Sequence, residues 1–190
     1  MRSHLFDPCT FIRVQTWNAE ATDTWKVESA LGTSWPKEPG TIASGRADIL
    51  CIGPTDWLVT APDSDAKALY QRLKDASEGS TFRATNVSQA LTRIGVQGPE
   101  VRALLSKGCS LDLHPSQFPP GRCARTRFAA LSTVLRCTGP SNFECTVSSS
   151  YQDYLLSWIA DAAEEFLASG ASGASGVDTR RGANNQTSHK

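Results

Sequence analysis

The sequence has no stretch approaching the ~20 consecutive apolar residues of a membrane-spanning helix. Its amino terminus, MRSHLFDPCTF, carries no apolar run of the length a secretory signal needs, which predicts a cytoplasmic protein. Charge of one sign is missing too: 19 Lys and Arg balance 19 Asp and Glu, and no basic run is longer than Arg180-Arg181. Neither nucleic acid nor an anionic membrane is therefore expected as a partner. Closely spaced cysteine pairs, which would prearrange half a zinc site, are absent; the shortest gap among the 6 cysteines runs from Cys137 to Cys145. In a cytosolic chain of this size these are expected as thiols rather than as a disulfide scaffold. There is no dinucleotide fingerprint and no phosphate-binding loop with its Lys and Ser/Thr, so no cofactor site for a nucleotide or flavin of the usual kind is expected.

What is present is 190 residues with 39% hydrophobic content, enough to bury a core as one domain or as two small lobes sharing an interface. FIRVQTW alternates as a strand, and ADILCIG and PTDWLVTAP read as a hairpin around Gly53-Pro54-Thr55-Asp56, where Pro presets φ and Asp can bond the local backbone. After Pro62, Asp63 or Ser64 can cap a helix whose Ala66, Leu69, Tyr70, Leu73 and Ala76 recur at three and four residues, ending near Gly79. Residues 18–45, rich in Thr, Ser, Pro and Trp, show no clear period.

ALTRIGV is a further strand, and Gly98-Pro99-Glu100 suits a helix start, with Val101, Leu104 and Leu105 as the buried stripe. That helix is expected to stop at Lys107-Gly108, where Gly can take the left-handed conformation. CARTRFAALSTVLRC and FECTV read as strands; counting back from the turn at Thr138 to Asn142 sets Cys137 opposite Phe143 and Leu135 opposite Cys145 on one face. In the last helix Ser150 with Asp153 resembles a cap, and Tyr151, Tyr154, Leu155, Trp158, Ile159, Ala162 and Phe166 fall on one face. From Ser169 onward the Gly-, Ser- and Asn-rich sequence has almost nothing to bury and is expected to be a mobile tail, 169–190. The fold class expected is α+β, with lobes near 1–85 and 86–168.

The densest chemistry lies in KGCSLDLHPSQFPPGRCART, Lys107 to Thr126. Cys109, His114 and Cys123 could meet at a metal only if the intervening loop folded back on itself, so packed or half-exposed neutral residues are the better reading. A thiol nucleophile would need a base and an orienting group, and Cys109 follows the wrong end of a helix for one. Leu111 and Leu113 alternate with Asp112 and His114, so a short extended piece could show the leucines inward and the polar pair outward, as a local Asp to His contact or a surface pair. Asp161, Glu164 and Glu165 read as a solvated helix face. No catalytic, cofactor-binding or metal residue is assigned in this chain. The loop's Pro115, Pro119 and Pro120 limit its flexibility, and it offers His114, Arg122 and Arg125 as donors beside apolar Leu113 and Phe118, which suits a rigid docking surface for a partner protein.

LCIGPTDWLV, NVSQALTRIGVQGPEVRALLSKGCSLDLHPSQFPPGRCART and FECTVSSSYQDYLLSWIADAAEEF together resemble the gamma subunits of heterotetrameric sarcosine oxidases, over about Ile49 to Phe166. Ser110 stands where that family usually has Pro, and Arg127 to Ser132 departs from its pattern. The NVSQALTRIGVQGPE portion is also similar, more weakly, to the folate-binding fold of glycine-cleavage aminomethyltransferases.

The resemblance implies an α+β fold of two sheet-and-helix lobes and a complex of four different subunits. In that family the beta subunit carries FAD and covalently held FMN, the alpha subunit binds NAD and receives tetrahydrofolate, and the delta subunit binds zinc. Together they oxidise sarcosine to glycine with oxygen, giving hydrogen peroxide and formaldehyde or methylenetetrahydrofolate. It implies a gamma chain without catalytic residues, with the alpha subunit as its direct contact. The alternative is a free-standing folate-binding or aminomethyltransferase-like one-carbon protein. Against it, the NVSQ turn has Asn86 and Gln89 where related enzymes often have an acid.

Overall fold

The structure is a computed structural model that describes residues 1–6, 9–17 and 24–172. Among the described residues ten strands and four helices follow one another as β1 (Arg2–Leu5), β2 (Cys9–Thr16), α1 (Thr24–Leu31), β3 (Ile42–Ala43), β4 (Asp48–Gly53), β5 (Asp56–Pro62), α2 (Ala66–Ser77), β6 (Phe82–Asn86), β7 (Leu91–Gln97), α3 (Val101–Ser106), β8 (Cys123–Phe128), β9 (Leu131–Gly139), β10 (Asn142–Ser148) and α4 (Gln152–Ser172). They form two antiparallel five-stranded sheets, ordered β3-β4-β5-β2-β6 and β1-β7-β10-β9-β8. The fold is α+β. β1 departs from a division of the lobes near residue 85: Arg2–Leu5 pairs with β7 in the second sheet.

The alternation of side chains sorts residues to the two faces of each sheet. On β4, Ile49 and Cys51 face α1 and α2 in a core with Val27, Leu31, Leu69 and Leu73. On β9, Leu135 and Cys137 face α3 and α4 in a core with Leu104, Leu105, Leu155 and Ile159. Leu50 and Val134 point the other way, into a third cluster with Phe11, Leu58 and Cys123 that joins the two sheets. The order of layers is helices, sheet, sheet, helices.

The β4–β5 hairpin forms around Gly53 to Asp56, and the β9–β10 register sets Phe143 opposite Cys137 and Cys145 opposite Leu135. Several local expectations need correction. Asp63–Asp65 form a 3-10 turn ahead of α2, and no side chain caps that helix. α3 begins at Val101, so Pro99 and Glu100 lie in the turn before it. CARTRFAALSTVLRC is two strands, turned by Ala129 and Ala130 with φ of 49° and 65°.

Gly108 is not left-handed; the residue is small because a Cβ there would sit 2.8 Å from the Trp158 ring. Tyr151 and Tyr154 are half exposed rather than buried on the face of α4, and the Ser150 hydroxyl meets that of Ser148 at 3.1 Å in a 3-10 turn. α4 runs through Ser172, past the expected tail boundary at Ser169. The rest of that expectation, residues 173–190, lies outside the described residues. In 18–45, α1 and β3 are structured elements without a sequence period.

Candidate functional site

The loop from Lys107 to Thr126 is held down along its length. At its start Cys109 bridges Phe128 at the end of β8, and its thiol lies 3.6 Å from the Thr126 hydroxyl. The Asp112 carboxylate accepts the His114 amide at 2.9 Å, and His114 Nδ1 meets the Ser116 hydroxyl at 2.8 Å. The amides of Gln117 and Phe118 both donate to the His114 carbonyl at 2.9 Å. This is the expected local Asp to His contact, made through the His114 backbone, with both side chains exposed.

Leu113 and Phe118 do not form an exposed patch. Each is 4% exposed and belongs to the core of its own lobe, where the Phe118 ring lies parallel to that of Phe143 with centroids 6.3 Å apart. The reason is Arg102 on α3. Its guanidinium donates to the carbonyls of Leu113 and Phe118, which draws both residues onto the lobe. Nothing in the sequence marks Arg102 for this role, because a cation beside an apolar helical stripe looks like an ordinary solvated residue.

Arg122 and Arg125 lie at the seam between the lobes. The Cys123 amide donates to the Gly40 carbonyl at 3.0 Å, and the Gly40 amide donates to the Cys51 carbonyl at 2.8 Å. Arg122 lies over Gly40, where φ is +89° and a Cβ would sit 3.0 Å from its Nη2. Arg125 reaches Asp56 at 3.3 Å. Asp56 also receives Nε and Nη2 of Arg13 at 2.8 and 2.5 Å, and this hydrogen bonding pushes the Arg13 guanidinium above its ordinary pKa. Arg136 on β9 pairs with Asp48 on β4 at 2.8 Å. Ion pairs thus cross the seam at two places.

The structure does not bring Cys109, His114 and Cys123 together: Cys109 packs in the helix-covered core of the second lobe, Cys123 in the cluster between the sheets, and His114 is exposed. Among the described residues no three of His, Cys, Asp and Glu are grouped to hold a metal ion. All 6 cysteines are free. Burial pushes the Cys123 and Cys145 thiols up to about 12 and also raises Cys9, Cys51 and Cys137, which disfavours the nucleophilic thiolate in each.

In the NVSQ turn, Asn86 Oδ1 accepts the Ser88 amide and hydroxyl at 3.0 and 2.7 Å, while the Ser88 hydroxyl accepts the Phe11 amide at 2.9 Å. The Asn86 side chain therefore builds the turn. Gln89 lies on the rim of a cleft of about 450 Å³ with Phe6, Cys9, Asp63, Arg93 and Gln152.

A two-lobed α+β chain whose sheets pack face to face, with helices outside, is the fold of one half of an aminomethyltransferase. The glycine cleavage system aminomethyltransferase T from Bartonella henselae aligns with 83% of this chain and 45% of its own, at a TM-score of 0.59 and 13% identity. A chain of the heterotetrameric sarcosine oxidase from Corynebacterium sp. U-96, solved in complex with pyrrole 2-carboxylate, aligns over 86% of this chain and 84% of its own, at a TM-score of 0.80 and 23% identity. In sequence, the sarcosine oxidase subunit gamma of Corynebacterium sp. (strain U-96) is 29% identical over 143 residues, 74% of this chain and 68% of that protein. The same subunit of an Arthrobacter sp. is 29% identical over 141 residues, 73% of this chain and 68% of that protein. The sequence model of the family "Sarcosine oxidase, gamma subunit family" matches residues 17–165. The chain belongs to the sarcosine oxidase gamma subunit family.

Proposed function

We propose that the chain is the gamma subunit of a heterotetrameric sarcosine oxidase, working in the cytoplasm beside alpha, beta and delta subunits, and that it supplies assembly rather than catalysis. The observation that carries this reading is the family match over residues 17–165. The raised thiols and the use of Asn86 within its own turn support the non-catalytic role. In this reading the complex oxidises sarcosine to glycine with oxygen, giving hydrogen peroxide and formaldehyde or methylenetetrahydrofolate. FAD, FMN, NAD, zinc and tetrahydrofolate are held by the other chains. His114, Arg122 and Arg125 belong to the docking surface, with the alpha subunit as direct contact; Leu113 and Phe118 support that surface from the core.

Co-expression with the other three subunits tests this: the four chains are expected to co-purify with sarcosine-dependent peroxide release, and the isolated chain supplied with flavin is expected to release none. Activity of the isolated chain, or failure to co-purify, would overturn the reading. The cleft beside Gln89 favours a second reading, a free-standing folate-binding or aminomethyltransferase-like protein. Calorimetric titration of the isolated chain with tetrahydrofolate separates the two, since only the second expects saturable binding.

A further inference from the structure

β8 is an edge strand tied at both ends and open in the middle. At its start the Cys123 amide is held by Gly40 of the other lobe, and at its end Phe128 is bridged to Cys109. In an antiparallel pair, successive residues turn their backbone groups alternately toward and away from the partner strand. The Cys137 amide donates to the Arg122 carbonyl at 2.9 Å, so Arg122 faces β9. By alternation Ala124 and Thr126 also face β9, and Arg125 turns its N–H and C=O outward. No turn or loop bond of the described residues reaches either group.

Along this edge lies a groove of about 420 Å³, lined by Leu111 and Gln117 of the loop, by Pro39 and Ile52 of the other lobe, and by Ala124 and Arg125 of β8 itself. Its charge is unbalanced. Among the described residues Arg122 has no acidic partner, and Arg125 shares with Arg13 the single carboxylate of Asp56. Asp112, also in the lining, uses Oδ1 to accept the His114 amide. A partly apolar trough with an unpaired strand edge and two arginines in its lining matches an extended segment that carries a carboxylate.

We propose that this groove takes an extended, acid-bearing segment of a partner subunit, which adds to β8 as a short strand, exchanges hydrogen bonds with the Arg125 backbone and sets a carboxylate against Arg122 and Arg125. The proposal rests on the subunit reading above. The chain's own residues 173–190 are opposed by charge, since they hold Arg180, Arg181 and Lys190 against Asp178 alone.

Amide hydrogen exchange of residues 123–127, resolved to single residues, tests this in the isolated chain and in the four-subunit complex. The Arg125 amide is expected to exchange at least about tenfold more slowly in the complex, and Arg122→Glu to weaken co-purification by about tenfold or more. Arg127→Glu, on the same strand beyond the groove, is expected to assemble as the parent does. A complex that forms with unchanged exchange at Arg125 overturns the proposal and leaves the subunit reading standing. Equal losses from Arg122→Glu and Arg127→Glu would reduce it to unspecific charge. Slow exchange in the isolated chain that speeds up on truncation after Ser172 would make the chain's own tail the occupant. A parent chain that does not assemble ends both readings.

Discussion

Arg102 stands with its guanidinium 4.9 Å from the centroid of the Phe143 ring, so a cation on α3 caps an aromatic side chain on β10. From that position Nη1 reaches the carbonyls of Leu113 and Phe118, Nε reaches the Pro140 carbonyl at 3.2 Å, and Nη2 lies 3.5 Å from the Cys137 sulfur. One side chain ties the loop of 109–122 to the turn between β9 and β10. Removing it leaves loop carbonyls without their charged donor.

Arg102→Ala is therefore expected to lower stability by about 2 kcal/mol, the size of lost hydrogen bonds to a charged donor. Urea unfolding measures this. Arg102→Lys is expected to recover only part, because an ammonium cannot reproduce the planar fork that reaches several carbonyls. Stability of Arg102→Ala equal to the parent would show that the loop is held by its other contacts.

Gly108→Ala is expected to cost about 1–3 kcal/mol, the usual range for overpacking. The added Cβ would meet the Trp158 ring at 2.8 Å and the Ala129 amide nitrogen at 3.1 Å. Combining it with Trp158→Leu should give a smaller loss than the sum of the two single changes, because the closer of the two clashes, that with the indole, disappears. A strictly additive pair in thermal or urea unfolding would refute the steric account.

Stability is expected to fall as pH rises above about 9. Burial pushes the Cys123 and Cys145 thiols from the ordinary 9.0 up to about 12. The unfolded chain thus releases these protons at lower pH than the folded one. Below 9 both states hold the protons and nothing is lost; between 9 and 12 each thiol contributes a loss of about 1.4 kcal/mol per pH unit. Urea midpoints measured across that range should slope less steeply in Cys145→Ala than in the parent, whatever the variant's absolute stability. An identical slope would remove Cys145 from the account.

Truncation after Ser172 is expected to leave the thermal midpoint within about 1 °C of the parent, since residues 173–190 have little apolar area to set against the entropy of ordering them. Truncation after Leu155 should unfold the second lobe, because it deletes Ile159 and Ala163 from that core. A full-length chain much more stable than the Ser172 truncation in a melting experiment would show that the tail packs.

Much of the fold is readable along the chain because its causes are local. The β9–β10 register follows from a turn and a period of two, and α4 declares itself by Leu155 and Ile159 one turn apart. The α2 exit near Gly79, where φ is +65°, follows from the freedom of glycine. α1 and β3 were not readable: Val27 and Leu31 are buried, yet Thr, Ser, Pro and Trp around them hide the period. The loop was only half readable. Its prolines and arginines stand in the sequence, but the direction of Leu113 and Phe118 does not.

The sequence by itself determined the family, the two-lobed α+β class and the turns of the β4–β5 and β9–β10 hairpins, because motifs, periods and turn residues act over a few positions. Only the tertiary structure decided that β1 joins the second sheet, that Gly108 makes room for an indole rather than ending a helix, and that Leu113 and Phe118 turn inward under Arg102. Each of these depends on a partner outside the local period: Arg102 is 11 residues from Leu113 and 16 from Phe118, and Trp158 and β7 lie much further from Gly108 and β1. A loop side chain has no period to betray its direction, so whether it meets solvent or core is settled by the charge and shape of the surface that arrives beside it.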